Sequence, residues 1–431
     1  MKRAGIIGLG RAGFSSAYLL EKLGYRVFIS DKKLFPESFK KTLSKNFLLE
    51  EGINSERILM NDLIIISPGV SEKERIIKRI KEKSIPFIDE IELGYRFIEG
   101  KIIAITGTNG KSTVAKWIYE CIKDKNAFLA GNIGIPLTGF AFKKGVFVIE
   151  TSSFQLKRIK FFRPHIGIIL NIDKDHMDWH TSFEDYFYSK LNIFKNQKKS
   201  DFLILDEDVV LPENIKPEPK ILKVSLTREV EGVFLKDKKV IFNINGNIEK
   251  WEVNFPLKGK FNIKNALFVL LSLKILGKNF KEIKEKFESF KGLPHRLEYL
   301  GEKKGIEVYN DSKSTNPHSV RSAIESFEKL IILIMGGLNK GLSFRELKGI
   351  IRQKCKGVVL FGKSQNEILV DIEDKNLNIE MAGSVKEALE KAFRIADKGD
   401  IILFSPGCAS FDMYKNYVER GEDFKNAFNE L

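Results

Sequence analysis

Short β-branched runs alternate with longer amphipathic segments along almost the whole chain, and the cycle restarts twice. Residues 4–7, 27–30, 63–67 and 87–88 read as strands, with helices expected over 15–23 and 72–83. The pattern begins again at 101–106, 146–149 and 166–170, and once more at 307–310, 330–335, 358–361 and 401–405. Strands apolar on both faces and separated by helices need crossover connections, so they build parallel sheets covered on both sides. Residues 201–256 break the rhythm. Runs at 202–205, 221–225, 232–235, 239–243 and 251–255 follow one another with almost no helical period, which predicts a small antiparallel sheet inside the central unit. The expected fold class is α/β in three domains: two Rossmann-like parallel-sheet domains, 1–94 and 295–431, flanking a central P-loop mononucleotide-binding domain, 95–294. A chain of 431 residues is long enough to give each domain its own core.

Charge narrows the class of partner. The 72 Lys+Arg against 57 Asp+Glu leave a net charge of +15, which suits nucleic acid, a membrane surface or a phosphorylated small molecule. Basic residues are interleaved with acidic ones throughout and the final third is neutral, so no nucleic-acid-binding block stands out. No apolar run approaches the ~18–20 residues of a membrane span, and Arg11 interrupts the apolar residues 6–9 before a signal sequence could form. Cys121, Cys355 and Cys408 lie far apart without metal-ligand spacing, which suits a reducing cytoplasm. The expectation is a cytoplasmic protein with no membrane span and no nucleic-acid partner.

Two loops point to nucleotides. Gly8-Leu9-Gly10-Arg11-Ala12-Gly13 is G-x-G-x-x-G between a strand and a helix, with Asp31 at the end of the next strand. Such glycines let a pyrophosphate approach the backbone at a helix N-terminus, although a tight turn without ligand uses them as well. Ser67-Pro68-Gly69 ends a later strand and faces the same crevice by the strand-end rule, or forms an ordinary turn. Residues 106–113 (TGTNGKST) follow a strand and open a helix; Ile105 stands where the Walker pattern has Gly, and the rest fits. Gly107 and Gly110 bare the amides, Lys111 reaches terminal phosphates, and Ser112 or Thr113 is placed for Mg²⁺. Glu150 ends the strand 146–149, where a carboxylate could hold that ion. A dehydrogenase has no use for a phosphate loop, so one nucleotide supplies energy and the other is a handle on the substrate.

Seven ordered motifs carry a resemblance: 107–113 (GTNGKST), 131–136 (GNIGIP), 150–156 (ETSSFQL), 175–178 (DHMD), 293–296 (LPHR), 310–316 (NDSKSTN) and 405–416 (SPGCASFDMYKN). Together they resemble the Mur ligases, the ATP-dependent amide ligases of peptidoglycan synthesis, over essentially the whole chain. The resemblance implies D-glutamate addition to UDP-N-acetylmuramoyl-L-alanine through an acyl phosphate, with a related ligase of different or broader amino-acid acceptor as the alternative. It places Gly10, Arg11, Asp31, Lys32, Ser67 and Gly69 along UDP, and Asn132 at the substrate carboxylate. Residues 107–113, Asn262, Asn265, Arg296, Asp311 and Lys313 fall to ATP: Gly107, Thr108, Asn109, Gly110, Lys111, Ser112 and Thr113 in the loop, the Asn residues at adenine, and the last three over phosphates and ribose. It implies two Mg²⁺ sites, one at Ser112 and Glu150 and a second at His176 and Lys190, with Lys190 carrying a CO₂-derived carbamate. Lys111, Glu150, His176 and Lys190 are then the catalytic set, with Asp175 and Asp178 flanking His176. Thr315, Lys340, Ser410 and Tyr417 fall where D-glutamate binds, but Leu338 replaces an acidic residue and Tyr417 a Phe usual in the family. A monomer is expected.

Other readings use less of the chain. Folate polyglutamyl ligases lack a domain such as 1–94, and His318 after Asn316-Pro317 removes the Asn-Pro-Arg acceptor motif of the L-lysine/diaminopimelate-adding relatives. A nucleic-acid-binding ATPase would need a basic, aromatic reader surface, and none is visible. A non-catalytic UDP-sugar-binding module would leave 107–113 idle.

Overall fold

The computed structural model describes every residue except Met1, Lys174, Asp178 and Lys258. Among the described residues there are three sheets in two compact units, Met1–Asn254 with Lys264–Glu288, and Phe255–Ile263 with Ser289–Leu431. The first sheet holds β1 (Arg3–Ile7), β2 (Arg26–Asp31), β3 (Leu48–Glu51), β4 (Leu63–Ile66) and β5 (Phe87–Asp89), all parallel in the order β3-β2-β1-β4-β5. Its helices are α1 (Arg11–Lys22), α2 (Glu37–Lys40), α3 (Arg75–Glu82) and α4 (Glu90–Tyr95). Strand order reverses between β1 and β4, so a crevice opens at their C-terminal ends, where residues 8–10 and 67–69 lie. Gly13 is needed there for packing: a Cβ on it would come within 2.0 Å of the Gly8 carbonyl oxygen.

The second sheet runs β6 (Glu99–Thr106), β7 (Ala127–Gly131), β8 (Lys144–Glu150), β9 (Ile166–Ile169), β10 (Phe202–Asp206), β11 (Lys220–Ser225), β12 (Gly232–Lys236), β13 (Lys239–Ile244) and β14 (Asn247–Trp251). Their order is β14-β13-β12-β11-β10-β9-β6-β8-β7. The helices are α5 (Lys111–Ile122), α6 (Ser153–Lys157), α7 (Phe183–Leu191), α8 (Lys260–Ile275) and α9 (Phe280–Glu288). The antiparallel character expected across 201–256 is narrower than the spacing suggested. β10, β11 and β12 continue the parallel sheet from β9, and antiparallel pairing is confined to β12–β13–β14. Leu203, Ile204 and Leu205 are all buried, so β10 needs cover on both faces, which only an interior position supplies. The antiparallel part is made by two tight turns, Asp237-Lys238 and Asn245-Gly246, whose residues all have positive φ, as two-residue hairpins require.

The third sheet contains β15 (Glu298–Lys303), β16 (Ile306–Asn310), β17 (Ile331–Gly336), β18 (Cys355–Phe361), β19 (Asn378–Ala382) and β20 (Ile401–Gly407), in the order β15-β16-β20-β17-β18-β19. It is parallel except for β15, which pairs antiparallel with β16. Its helices are α10 (Pro317–Glu325), α11 (Lys348–Lys354), α12 (Gln365–Ile372), α13 (Val385–Ile395) and α14 (Tyr417–Glu430). Every residue of β17 is buried, as a central strand covered by helices on both faces must be. Among the described residues no helix is long and apolar enough to cross a membrane.

Candidate active site

The phosphate loop connects β6 to α5. Gly110 caps the helix in the left-handed region (φ +86°) with no side-chain capping bond, a helix start of the kind that can take an anion. Asn171 shapes the loop: its Oδ1 accepts the N–H of Thr108 (3.1 Å) and Asn109 (2.8 Å), and its Nδ2 donates to the Asn109 carbonyl (3.1 Å). The Thr108 hydroxyl meets the Tyr186 hydroxyl at 2.9 Å and accepts the Asp173 N–H at 2.9 Å. Lys111 Nζ folds back onto the carbonyls of Gly107 and Thr108, 2.8 Å from each. Ser112 and Thr113 are buried in the first turn of α5.

Beside the loop stand Glu150, Asn132 and Lys190. Asn132 donates its Nδ2 to Glu150 Oε1 at 2.9 Å and its N–H to the Glu150 carbonyl at 2.9 Å. Gly131 allows that approach, because a Cβ there would lie 2.3 Å from the Glu150 carbonyl oxygen. Glu150 Oε2 is buried and has no hydrogen-bond partner. Lys190, on α7, is 2% exposed and donates to the Gly107 carbonyl at 2.7 Å. Burial first, then the neighbouring charge of Lys111, hold its amine well below the usual lysine range, against the opposing pull of Asp175 and Glu150. The start of α7 is braced from α6: Lys157 pairs with Asp185 at 2.5 Å, and the buried His180 ring bridges Asp185 (3.1 Å) and the Ser153 hydroxyl (2.9 Å). Burial alone would raise the Asp185 carboxyl, but Lys157, the Thr181 N–H and His180 hold it down at about 2. His176 is half-exposed at φ +55°, with its ring 5.0 Å from Phe154 and 3.6 Å from Asp175. Asp178 lies outside the described residues.

In the crevice of the first sheet, Asp31 Oδ2 accepts the Leu9 N–H at 2.6 Å and Oδ1 the Lys33 N–H at 2.8 Å, so this carboxylate shapes the glycine loop itself. The Ser67 hydroxyl donates to the Gly8 carbonyl at 2.7 Å. A Cβ on Gly10 or Gly69 would meet open space. Lys32 is paired with Glu74 at 2.5 Å, and the Arg11 guanidinium donates to the Gly134 carbonyl. A cavity of about 640 Å³ opens from Gly10 and Arg11 along α1, walled by Phe14, Tyr18, Pro136 and Phe142.

The second unit holds most of the remaining expected residues. Asp311 is fully buried and accepts from the hydroxyls of Ser314 (2.5 Å) and Ser405 (2.9 Å) and from the Leu297 N–H (3.1 Å); burial pushes its carboxyl up to about 6. Arg296 sits between His295 (φ +61°) and Leu297 (φ +44°), an uncommon backbone for such residues, and its Nε is buried without a partner. Lys313 lies 5.5 Å over the Tyr417 ring, and Lys340 5.3 Å over Phe411. Ser410 is buried and Thr315 exposed. The loops that carry them converge on Arg420, fully buried, which donates to Ser312 Oγ (3.1 Å) and to the carbonyls of Ser312 (2.8 Å) and Cys408 (3.0 Å). Asn262 and Asn265 lie on the first turns of α8, and Asn265 Nδ2 is buried without a partner. Sequence reasoning missed Asn171, Tyr186, His180 and Arg420; only the placement of Tyr186 four residues before Lys190 on one helix face gave a signal.

Among the expected site residues, buried polar atoms without a protein partner occur at Glu150 Oε2 and Asn265 Nδ2 in the first unit and at Arg296 Nε in the second. An anionic oxygen fits a divalent cation, a guanidinium N–H fits an anion, and an amide N–H fits an acceptor on a base. Among the described residues no three His, Cys, Asp or Glu side chains gather into a metal cluster.

Comparison with known proteins agrees with this layout. Residues 2–89 match the family model of the Mur ligase MurD-like N-terminal domain, 105–273 the Mur ligase middle domain, and 295–408 the Mur ligase glutamate ligase domain. A UDP-N-acetylmuramoylalanine--D-glutamate ligase of Aquifex aeolicus is 38% identical, covering 97% of this chain and 96% of its own. One of Caldicellulosiruptor bescii is 36% identical over 99% of this chain and 97% of its own. Among solved structures, a pseudomurein peptide ligase type C from Methanothermus fervidus aligns over 100% of both chains with a TM-score of 0.62 at 18% identity. The MurF ligase of Thermotoga maritima, in complex with ADP, gives a TM-score of 0.62 at 16% identity over 100% of this chain and 95% of its own. At those identities the structures share the fold.

Proposed function

The chain belongs to the Mur ligase family, and on that premise we propose that it joins D-glutamate to UDP-N-acetylmuramoyl-L-alanine at the expense of ATP. The alanine carboxylate attacks the γ-phosphorus of ATP and ADP leaves, giving an acyl phosphate. The D-glutamate amine then attacks the carbonyl carbon, loses a proton and expels phosphate, so an amide forms. The product belongs to peptidoglycan precursor synthesis, and the enzyme works as a monomer in the cytoplasm; three buried free cysteines support that compartment.

The observation that carries this reading is the buried, unpartnered Glu150 Oε2 beside a phosphate loop and the buried Lys190. The loop amides of 107–110 and Lys111 neutralise the transferring phosphoryl group. Mg²⁺, when bound, adds charge neutralisation there; Ser112 and Glu150 would hold one ion, His176 and Lys190 a second. Lys190 suits that task only as a carbamate. Burial favours the uncharged amine, whose lone pair attacks CO₂: an N–C bond forms, one proton leaves, and the neutral amine becomes an anionic oxygen ligand. Asn132, anchored on Glu150, orients the alanine carboxylate. Asp31 shapes the loop of Gly10 around UDP, with Ser67 and Gly69 as the opposite wall and Arg11 and Lys32 near the diphosphate. Asn262 and Asn265 read adenine, while Arg296, Asp311 and Lys313 serve the ATP phosphates and ribose. Thr315, Lys340, Ser410 and Tyr417 take the D-glutamate carboxylates, and Leu338 and Tyr417 motivate a broader acceptor range as the second reading.

The test is a reconstituted assay with UDP-N-acetylmuramoyl-L-alanine, MgATP and one amino acid at a time, read by phosphate release and product mass. D-Glutamate is expected to react fastest. Faster turnover of another amino acid favours the second reading, and no phosphate release with any amino acid overturns both.

A further inference from the structure

Arg158 lies in Lys157-Arg158-Ile159-Lys160, a run that reads as ordinary surface charge. Its side chain is instead 2% exposed. Nε donates to Glu72 Oε1 at 2.7 Å, Nη2 to the Val70 carbonyl at 2.6 Å and Nη1 to the Ser67 carbonyl at 3.3 Å. The guanidinium also lies 5.5 Å from the Trp179 ring centre. All three acceptors belong to the segment between β4 and α3, whereas Arg158 ends α6 in the central sheet's domain. Burying a guanidinium is costly, and Glu72, the carboxylate it hydrogen-bonds, is shared with Lys81 at 2.7 Å. The remaining bonds go to main-chain carbonyls, so this cation fixes the shape of a loop as much as it neutralises a charge.

That loop is one wall of the crevice. The Ser67 N–H donates to the Ile7 carbonyl at 3.0 Å and its hydroxyl to Gly8, so anything that holds residues 67–70 also holds the glycine loop. On the other side α6 begins just after Glu150, and Lys157, beside Arg158, grips Asp185 at the head of the helix that carries Lys190. Two adjacent cations on one short helix therefore reach in opposite directions, one to the crevice and one to the phosphate-loop side.

We propose that Arg158 is a positioning residue that sets the substrate's nucleotide crevice at a fixed place relative to the phosphoryl-transfer groups. This rests on the reading that the crevice holds the UDP portion of the substrate. Arginine is required because its planar fork satisfies two carbonyls and a carboxylate at once, which an ammonium on a flexible stem does not.

The experiment compares the full-length protein with Arg158→Met, Arg158→Lys and Glu72→Gln. It measures KM for each substrate, kcat, and the calorimetric Kd for UDP-N-acetylmuramoyl-L-alanine without ATP. Arg158→Met is expected to raise KM and Kd for the UDP substrate about 10- to 100-fold, with KM for ATP within about 2-fold. Arg158→Lys restores part of that loss, and Glu72→Gln, which keeps the carbonyl bonds, costs less than Arg158→Met. A fall in Tm with unchanged UDP-substrate affinity, or an equal rise in both KM values, overturns the proposal. Should Arg158→Met fail to fold, wild-type affinity in Arg158→Lys overturns it equally. A wild-type protein that binds no UDP-N-acetylmuramoyl-L-alanine defeats the functional reading itself, whereas wild-type binding with unaffected variants defeats only the role of Arg158.

Discussion

Two buried sets of charge in the same compact unit are treated in opposite ways. Along the seam between the first and central sheets, Glu92 is fully buried yet accepts the N–H groups of Lys160, Phe161 and Phe162 at 2.9–3.2 Å and faces Arg96 at 3.3 Å. Glu90, also buried, accepts both the N–H (2.6 Å) and the hydroxyl (2.8 Å) of Thr138. Beside the phosphate loop Glu150 is equally buried, but one oxygen has no partner, and Lys190 is forced toward neutrality. Burial with partners binds two domains together. Burial without them leaves Glu150 Oε2 open, and the seam has one such atom of its own in Asp89 Oδ2.

The largest effects should come from the incomplete set. Lys190→Ala is expected to cut kcat by about 10³-fold, and added bicarbonate should stimulate the wild type but not the variant. Near-normal activity of Lys190→Ala would remove that residue from the site. Glu150→Gln should lose about 10²- to 10³-fold in kcat while thermal unfolding stays level or rises, because an uncompensated buried charge is removed. A lowered Tm there would place Glu150 with the seam instead.

Glu92→Ala should show the reverse. Three N–H groups at the seam, that of Phe162 buried and those of Lys160 and Phe161 partly so, lose their acceptor, so unfolding free energy falls by about 3 kcal/mol, with KM values unchanged in the folded fraction. Denaturant unfolding against the exposed control Glu99→Ala measures this; equal midpoints would break the contrast. The smallest effect is a pH dependence. Burial raises Glu90 to about 7 and Asp89 to about 6, so the folded state binds more protons than the unfolded chain between the ordinary carboxylate range and neutrality. The seam's contribution is therefore full in acid and declines as pH rises through about 6–7, by at most roughly 1.4 kcal/mol per pH unit for each carboxyl. Glu90→Gln should flatten that slope in unfolding measured from pH 5 to 8; an unchanged slope would locate the titration elsewhere.

Much of the fold was legible because it depends on local patterning. Apolar runs of a few residues such as 63–66 and 331–336, separated by amphipathic helices, admit little but parallel sheets with crossovers. The glycines at 8, 13, 107, 110 and 131 announce loops because a side chain would strike backbone there or demand a strained φ. Strand 202–206 was placed less well: a run of apolar residues states that it is buried, but not whether its neighbour runs parallel or antiparallel. Within the site, Lys111 and Glu150 follow from strand ends and loop spacing, whereas Lys190 was distinguishable from any other helical lysine only by family resemblance. Arg158, Glu92 and Asn171 carried no signal, since their partners lie 62–91 residues away in the chain.

The sequence by itself determined which loops can approach phosphate, where strands and helices alternate, and which family of ligases the chain joins, because those properties reside in short contiguous motifs. Tertiary structure alone decided which charged residues are satisfied and which are left open. Glu92 and Glu150 are the same side chain, and each follows an isoleucine in the sequence. Three amides from a distant turn arrive at one and none at the second oxygen of the other, which makes the first a fastener and leaves the second open for the site proposed above.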